Sequence, residues 1–318
     1  MKRFIVTGGA GFIGSALVRR LLAQDDGSVE VVDNLLTGHA RNLEEVRSRI
    51  QLHEVDIRSY SELVPLLAGA DTVFHLAAIP SVPRSIHQPV PSHEVNIDGT
   101  FNVFQACVKG NVRRVVYAAS SSAYGDTETL PKVETMAPCP LSPYAAQKLM
   151  GEYYASTFHK CFGLDAVSLR FFNVYGERQD PTSPYSGVIS KFMTAVIERT
   201  APTIFGDGHH SHDFTYVQDV VSLLLKASSA PNVAGKVYNA GNGGRYTLND
   251  LWNTLQRIEG IELPARYAEP REGDVLHSQA DTVAAIKELG HDPQFTFEQG
   301  LARTLAWYRS QRGHENDG

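Results

Sequence analysis

The sequence predicts an α/β protein, a doubly wound parallel sheet with a smaller C-terminal part interleaved with it. Three observations carry that prediction. Short apolar runs alternate with amphipathic stretches over the first half of the 318-residue chain. The first of these runs leads straight into a glycine-rich turn. After about residue 174 the pattern becomes irregular and richer in Pro and Gly. Buried β-rich runs that alternate with helices indicate a parallel sheet covered on both faces.

In chain order, the candidate strands are residues 4–7, 29–33, 51–54, 72–75, 115–118 and 166–170. Between them, residues 15–23 and 95–109 carry helical periodicity. Residues 179–187 (QDPTSPYSG) read as a loop. The apolar segments 214–225 and 237–240 read as returns to the sheet layer. The expected division is therefore 1–174 for the sheet-forming domain, with returns near 214–243, and 175–318 mainly for the smaller domain. The polar end RGHENDG reads as frayed.

Hydrophobic residues make up 42% of the chain and charged residues 20%, as in a globular protein with a real core. The net charge of −6 leaves no basic field, so neither nucleic acid nor an anionic membrane is expected as a partner. An anionic ligand must then be met by local Arg, Lys or backbone N–H groups. No apolar run approaches the roughly 18 residues that span a bilayer. The apolar start Phe4-Ile5-Val6 is too short for a signal peptide, so none is expected. Cys107, Cys139 and Cys161 are odd in number and lack metal spacing, which fits a reducing cytosol and a cytoplasmic protein.

Thr7-Gly8-Gly9-Ala10-Gly11-Phe12-Ile13-Gly14-Ser15 follows the first apolar strand. Gly8 permits the tight turn, Gly11 lets the backbone approach a pyrophosphate, and Gly14 lets the helix pack on the strand. The helix start at Phe12 and Ile13 then offers N–H donors and a positive dipole end. This is a Rossmann-type fingerprint for a dinucleotide. Asp33 closes the second strand, where an acid binds ribose hydroxyls and repels a 2′-phosphate. Asn34 to Gly38 contain no Arg or Lys to host that phosphate, so NAD is the expected cofactor. Asp56 and Ile57, after the third strand, either edge the adenine or begin a helix. Leu76, Ala77 and Ala78 bring small residues to the end of the fourth strand.

Ser142-Pro143-Tyr144 reads as an N-cap followed by Pro at the first helical position. Tyr144 and Lys148 then share one helix face. Upstream, Ser120-Ser121-Ser122-Ala123-Tyr124-Gly125 closes an apolar strand. Tyrosine, with a reference pKa of about 10, is a poor base at neutral pH. Nearby positive charge from Lys148 and a nicotinamide favours its phenolate. Tyr144 can then take a proton from a sugar hydroxyl while a serine hydroxyl bridges the two.

These motifs, with HLAA, the Asn96-Ile97-Asp98-Gly99-Thr100 segment, Arg170-Phe171-Phe172-Asn173 and HDFTYVQDV, resemble the extended short-chain dehydrogenase/reductase family over nearly the whole chain. The resemblance implies a doubly wound sheet with a small C-terminal substrate domain. It also implies a nucleotide-diphosphate sugar substrate, a 4-keto intermediate, and a homodimer formed through a four-helix bundle that includes the Tyr-Lys helix. It adds Asn96 and Phe172 to the expected cofactor contacts and assigns Ser120, Tyr144 and Lys148 to catalysis. Dehydratases and decarboxylases of the family carry acids where this chain has Ser121 and Ser122. Serine cannot supply the general acid/base for removing water. The resemblance therefore points to NAD-dependent 4-epimerisation of a UDP-hexose. A net sugar oxidoreductase, a uronic-sugar epimerase and an NAD-sensing binding protein are the alternatives.

For the substrate, the resemblance implies contacts at Ser81, Ser120, Ser122, Tyr144, Asn173, Val188, Phe205, His212, Arg271, Asp274 and Ser278. Arg271 corresponds to a diphosphate-binding Arg. Ser278 stands where glucose-only epimerases carry a bulky Tyr, and so leaves room for an N-acetyl group. The pair N-acetylglucosamine/N-acetylgalactosamine is thus favoured, with glucose/galactose next. One departure is His212, where the family usually has an Arg for the diphosphate. A neutral imidazole brings no charge at pH 7, which leaves the nucleotide open. The cluster His209-His210-Ser211-His212-Asp213 has loop-like spacing, and the chemistry needs no metal, so none is expected.

Overall fold

A computed structural model describes residues 2–180, 187–270 and 275–315. Its core is a parallel sheet. In chain order the strands and the helices between them are β1 (Lys2–Thr7), α1 (Phe12–Gln24), β2 (Gly27–Val32), β3 (Gln51–His53), α2 (Tyr60–Leu67), β4 (Thr72–His75), α3 (Thr100–Lys109), β5 (Arg114–Ser120), α4 (Pro143–Phe162) and β6 (Ala166–Phe171). The seventh strand, β7 (Val237–Ala240), comes from much later in the chain. Among the described residues the spatial order is β7-β6-β5-β4-β1-β2-β3, and every pairing is parallel.

The chain steps outward one way from β1 to β3 and then crosses back to place β4 on the other side of β1. That reversal opens a crevice at the carboxyl ends of β1 and β4, the place where open α/β sheets bind ligands. Register sets its walls: Thr7 lies opposite Val32 on one side and His75 on the other.

The period of two along β1 divides the core. Phe4 and Val6 face one apolar layer with Leu17 and Leu21 of α1, while Ile5 faces the other with Leu63, Phe104 and Val115. Both layers are closed to water, which is why these strands read as continuous apolar runs.

Helices α5 (Val188–Glu198), α6 (Val217–Ser229), α7 (Leu248–Glu259) and α8 (Phe297–Glu315) follow. One expectation needs correction. Residues 214–225 are not a sheet strand: Thr215–Tyr216 pairs with Val174–Tyr175 in a separate two-stranded ribbon, and α6 starts at the next residue. The apolar run there is the buried face of a helix, which short hydrophobic stretches do not distinguish from a strand. The helix expected over 95–109 begins as a π-helical turn, Glu94–Gly99. At Gly99 a Cβ would stand 2.7 Å from the Ile57 side chain, so the wide turn brings bare backbone against α2's approach. The segment 237–240 does return to the sheet, as edge strand β7.

Candidate active site

The glycine turn is shaped by sterics. Gly8 sits at φ +72°, and a Cβ there would lie 2.6 Å from the Ala77 nitrogen of the β4 end. A Cβ at Gly14 would lie 2.1 Å from the Gly8 carbonyl oxygen, so only glycine lets α1 descend onto the turn. Gly11 differs, because a Cβ there would meet only the Gly8 oxygen, at 3.2 Å, and would otherwise enter the crevice. Gly11 is also the N-cap of α1 and brings no side-chain acceptor, and the first turn carries no acid. The leading N–H groups of α1 are thus presented to an anion.

A cavity of 740 Å³ fills the crevice. Gly8, Gly11, Phe12, Ile13, Gly14, Asp33, Asn34, Gly38, Asp56, Ile57, Leu76, Ala77, Ala78, Tyr144 and Lys148 all line it. The Asp33 carboxylate accepts from the Ala10 N–H at 2.9 Å and the Leu35 N–H at 2.8 Å, and burial raises its pKa. Asn34 donates to Asp56 at 2.7 Å, while Arg58 holds the Asp56 carboxyl down at about 2. A cradle that a Cβ would fill, uncapped helix amides and a carboxylate at the end of β2 fit a dinucleotide without a 2′-phosphate.

Two expected cofactor contacts do not line this cavity. Asn96 is buried behind its wall, accepting from the Ile79 N–H at 2.8 Å and donating to Gln147 at 2.9 Å. It fixes the Ile79 backbone rather than meeting the cavity. Phe172 points to the opposite side from the crevice, into a second cavity and against Tyr124 and Ala280. Its neighbour Phe171 lines both cavities.

The second cavity also measures 740 Å³ and lies toward the C-terminal elements. Ser120, Ser122, Tyr144, Asn173, Val188, Phe205, His212 and Ser278 line it. Ser81 instead lines the first cavity and caps a short helix, accepting from the Arg84 N–H at 3.0 Å. Arg271 and Asp274 lie outside the described residues. The cavities meet at Ser120, Tyr144, Phe171 and Asn173.

Ser120 ends β5, and Ser142 caps α4 by accepting from the Ala145 N–H at 3.2 Å. That cap sets the first turn, so Tyr144 and Lys148 project from one face. Burial pushes the Tyr144 phenol up to about 12, against a lowering hydrogen bond from Ser120. Burial pulls Lys148 down to about 8, and its Nζ donates to the Ala118 carbonyl at 2.8 Å. Lys148 therefore stays mostly charged at neutral pH beside a neutral phenol.

Asn173 adopts φ +27°, a left-handed conformation uncommon outside glycine. Its amide donates to Ser278 Oγ at 3.2 Å, and His212 Nδ1 meets the same oxygen at 3.2 Å. Burial, then His210 and His277, lower the His212 pKa to about 4, so the ring is neutral. Sequence reasoning missed Lys191 and Lys132, which also line the second cavity. The helical spacing of Lys191 from Val188 was the available signal.

A parallel sheet with a dinucleotide crevice, and a Ser-Tyr-Lys group at the junction with a second cavity, define an NAD-dependent enzyme of the short-chain dehydrogenase/reductase type. The model of the NAD dependent epimerase/dehydratase family matches residues 4–241, and the chain belongs to that family. A UDP-glucose 4-epimerase of Mycolicibacterium smegmatis is 36% identical over 97% of this chain and 99% of its own length. The solved UDP-N-acetylglucosamine 4-epimerase of Methanobrevibacter ruminantium, in complex with UDP-N-acetylmuramic acid, is 37% identical. It superposes with a TM-score of 0.93, covering 98% of this chain and 99% of its own. The Thermus thermophilus UDP-glucose 4-epimerase complex with NAD is 34% identical with a TM-score of 0.88, over 96% and 99% of the two chains.

Proposed function

We propose that this chain inverts C4 of a UDP-hexose, with UDP-N-acetylglucosamine and UDP-N-acetylgalactosamine as the preferred pair. The observation that carries the reaction class is the make-up of the second cavity. Among the described residues it is lined by hydroxyls, amides, imidazoles, lysines and apolar groups, with no carboxylate. Ser121 and Ser122 line it where dehydratases of the family it resembles carry acids, and a serine cannot supply the acid/base for removing water from the sugar.

Bound NAD supplies the acceptor and donor of the C4 hydride. The protein's part is proton chemistry and orientation. As the phenolate, Tyr144 would receive the C4 hydroxyl proton and become the phenol, and it would return that proton to the 4-keto oxygen and become the phenolate again. A phenol held near 12 needs positive charge beside it to act at neutral pH, and the buried Lys148 ammonium supplies part of that charge. Ser120 donates its hydroxyl to the Tyr144 oxygen and so favours the phenolate. Gly11, Phe12 and Ile13 would hold the cofactor's pyrophosphate, and Asp33 its ribose.

The N-acetyl preference rests on Ser278, a small side chain held by Asn173 and His212 at the cavity wall. The test is incubation with UDP-N-acetylglucosamine, UDP-glucose and UDP-glucuronate in turn, without added NAD, read by proton NMR at C4. Conversion of UDP-glucose or UDP-glucuronate alone would overturn the sugar assignment.

The exposed apolar residues Met150, Tyr153 and Phe162 of α4, beside exposed Ile86 and Val90, support a homodimer through a helical bundle. A monomer by light scattering at micromolar concentration would refute it. The exposed free thiols of Cys139 and Cys161 suit a reducing compartment, here the cytoplasm.

A further inference from the structure

The second cavity must accept a dianionic diphosphate if the function proposed above is right, and of the two cations expected for it, Arg271 lies outside the described residues and the other, at position 212, is replaced by a histidine. His212 occupies that place, its ring hydrogen-bonded to Ser278 and packed edge-on to Phe214 at 5.6 Å. Burial keeps it uncharged.

Among the described residues, two Lys or Arg side chains line this cavity, Lys132 and Lys191. Lys132 is committed elsewhere. It is 1% exposed, and its Nζ donates to the carbonyl and hydroxyl oxygens of Thr127. Lys191 has a different setting. It lies on α5 one turn beyond Val188 and next to Phe192, and all three line the cavity. Positions separated by three and four share a helix face, so this face of α5 is the cavity wall. Phe192 anchors the helix by packing against Trp252 at 5.7 Å, while Lys191 itself remains exposed.

We propose that Lys191 is a substrate-binding residue that supplies the charge for the diphosphate of the nucleotide sugar, in the role His212 cannot fill. The inference rests on the UDP-sugar reading. It assigns to α5 part of a task that the family resemblance places at position 212 and at Arg271.

Calorimetry on the NAD-containing protein with UDP and with uridine separates the charge from the base. Lys191→Met is expected to weaken UDP about 10- to 100-fold, the range for one charge-assisted phosphate contact, and to leave uridine within about twofold. Lys191→Arg should keep UDP binding. His212→Arg added to Lys191→Met should restore part of it, since it returns a cation to the other side of the same cavity. An unchanged UDP affinity in Lys191→Met, with wild-type protein binding UDP, overturns the role of Lys191 alone. Wild-type protein that binds neither UDP nor uridine overturns the UDP-sugar reading and this inference with it.

Discussion

Ser122 Oγ donates to Ser120 Oγ across 2.8 Å, and the Ser122 N–H reaches the same oxygen at 3.2 Å. A serine hydroxyl has two acceptor sites and one proton. With both acceptor sites taken by Ser122, the Ser120 proton is turned outward, toward Tyr144. In the proposed reaction Ser122 is thus a positioning residue for the Ser120 hydroxyl. Ser122→Ala is expected to lower kcat about tenfold, or about 1.4 kcal/mol, with little change in KM. The ascending limb of the kcat–pH profile, set by deprotonation of Tyr144, should move to higher pH, and Ser122→Thr should restore it. A kcat equal to wild type in Ser122→Ala would remove Ser122 from the reaction.

Tyr144→Phe keeps the ring and loses the proton acceptor. Turnover is expected to fall by about 10²- to 10⁴-fold, the usual worth of a positioned acid/base. UDP affinity should stay near that of wild type, because in the proposed mechanism the phenolic oxygen meets the sugar and not the nucleotide. Full turnover in this variant would overturn the catalytic assignment.

The glycines predict two different failures. In Gly14→Ala the new methyl collides with backbone at Gly8, so the turn itself must open. In Gly11→Ala the methyl presses the Gly8 carbonyl at 3.2 Å, which a shift of a few tenths of an ångström relieves, and otherwise faces the crevice. Gly11→Ala should therefore melt close to wild type yet purify with little NAD, measured by absorbance after denaturation. Gly14→Ala should lose both. Equal NAD content in wild type and Gly11→Ala would contradict the proposed pyrophosphate site.

His75 gives a pH dependence of stability. It is fully buried between Thr7 Oγ1, 2.8 Å from Nδ1, and Thr100 Oγ1, 3.1 Å from Nε2. Burial, then the Lys148 charge, holds its pKa at about 3, below the ordinary 6.5. The unfolded chain therefore takes up a proton first as pH falls. The contribution to stability is complete above about 6.5 and is lost progressively toward pH 3. Denaturant titrations at pH 7 and 4.5 should show the loss, and His75→Gln should flatten it. An equally steep decline in His75→Gln would place the acid sensitivity elsewhere.

Strands β1 to β6 were legible in the sequence to within a residue or two at most ends; for β1, β4, β5 and β6 the reason is that strands buried on both faces are largely apolar, whereas β3 (Gln51–His53) is a partly exposed edge strand with one apolar residue. The glycine turn and the Tyr-Lys helix were legible for a related reason: each has a local steric or capping requirement written in neighbouring residues. What depended on distant contact was not. Asn96 reads as a polar residue near the crevice, but its partners Ile79 and Gln147 come from separate parts of the chain. Phe171 and Phe172 are adjacent and look equivalent, and only the end of β6 decides which one faces the crevice. The Ser278 clamp joins Asn173 and His212 across 105 and 66 residues, and no local pattern encodes it.

The edge strand β7 has a consequence for biosynthesis. Until Val237–Ala240 has left the ribosome, β6 has an open hydrogen-bonding edge along Ser168 to Phe171, over apolar residues that lack their cover. Open edges recruit other strands, and nascent chains meet this hazard while later residues are still being added. The growing polypeptide is therefore expected to need shielding through the synthesis of α5 and α6. Chains truncated before residue 237 should self-associate. A truncation that stays monomeric and soluble would show that β6 is protected in some other way.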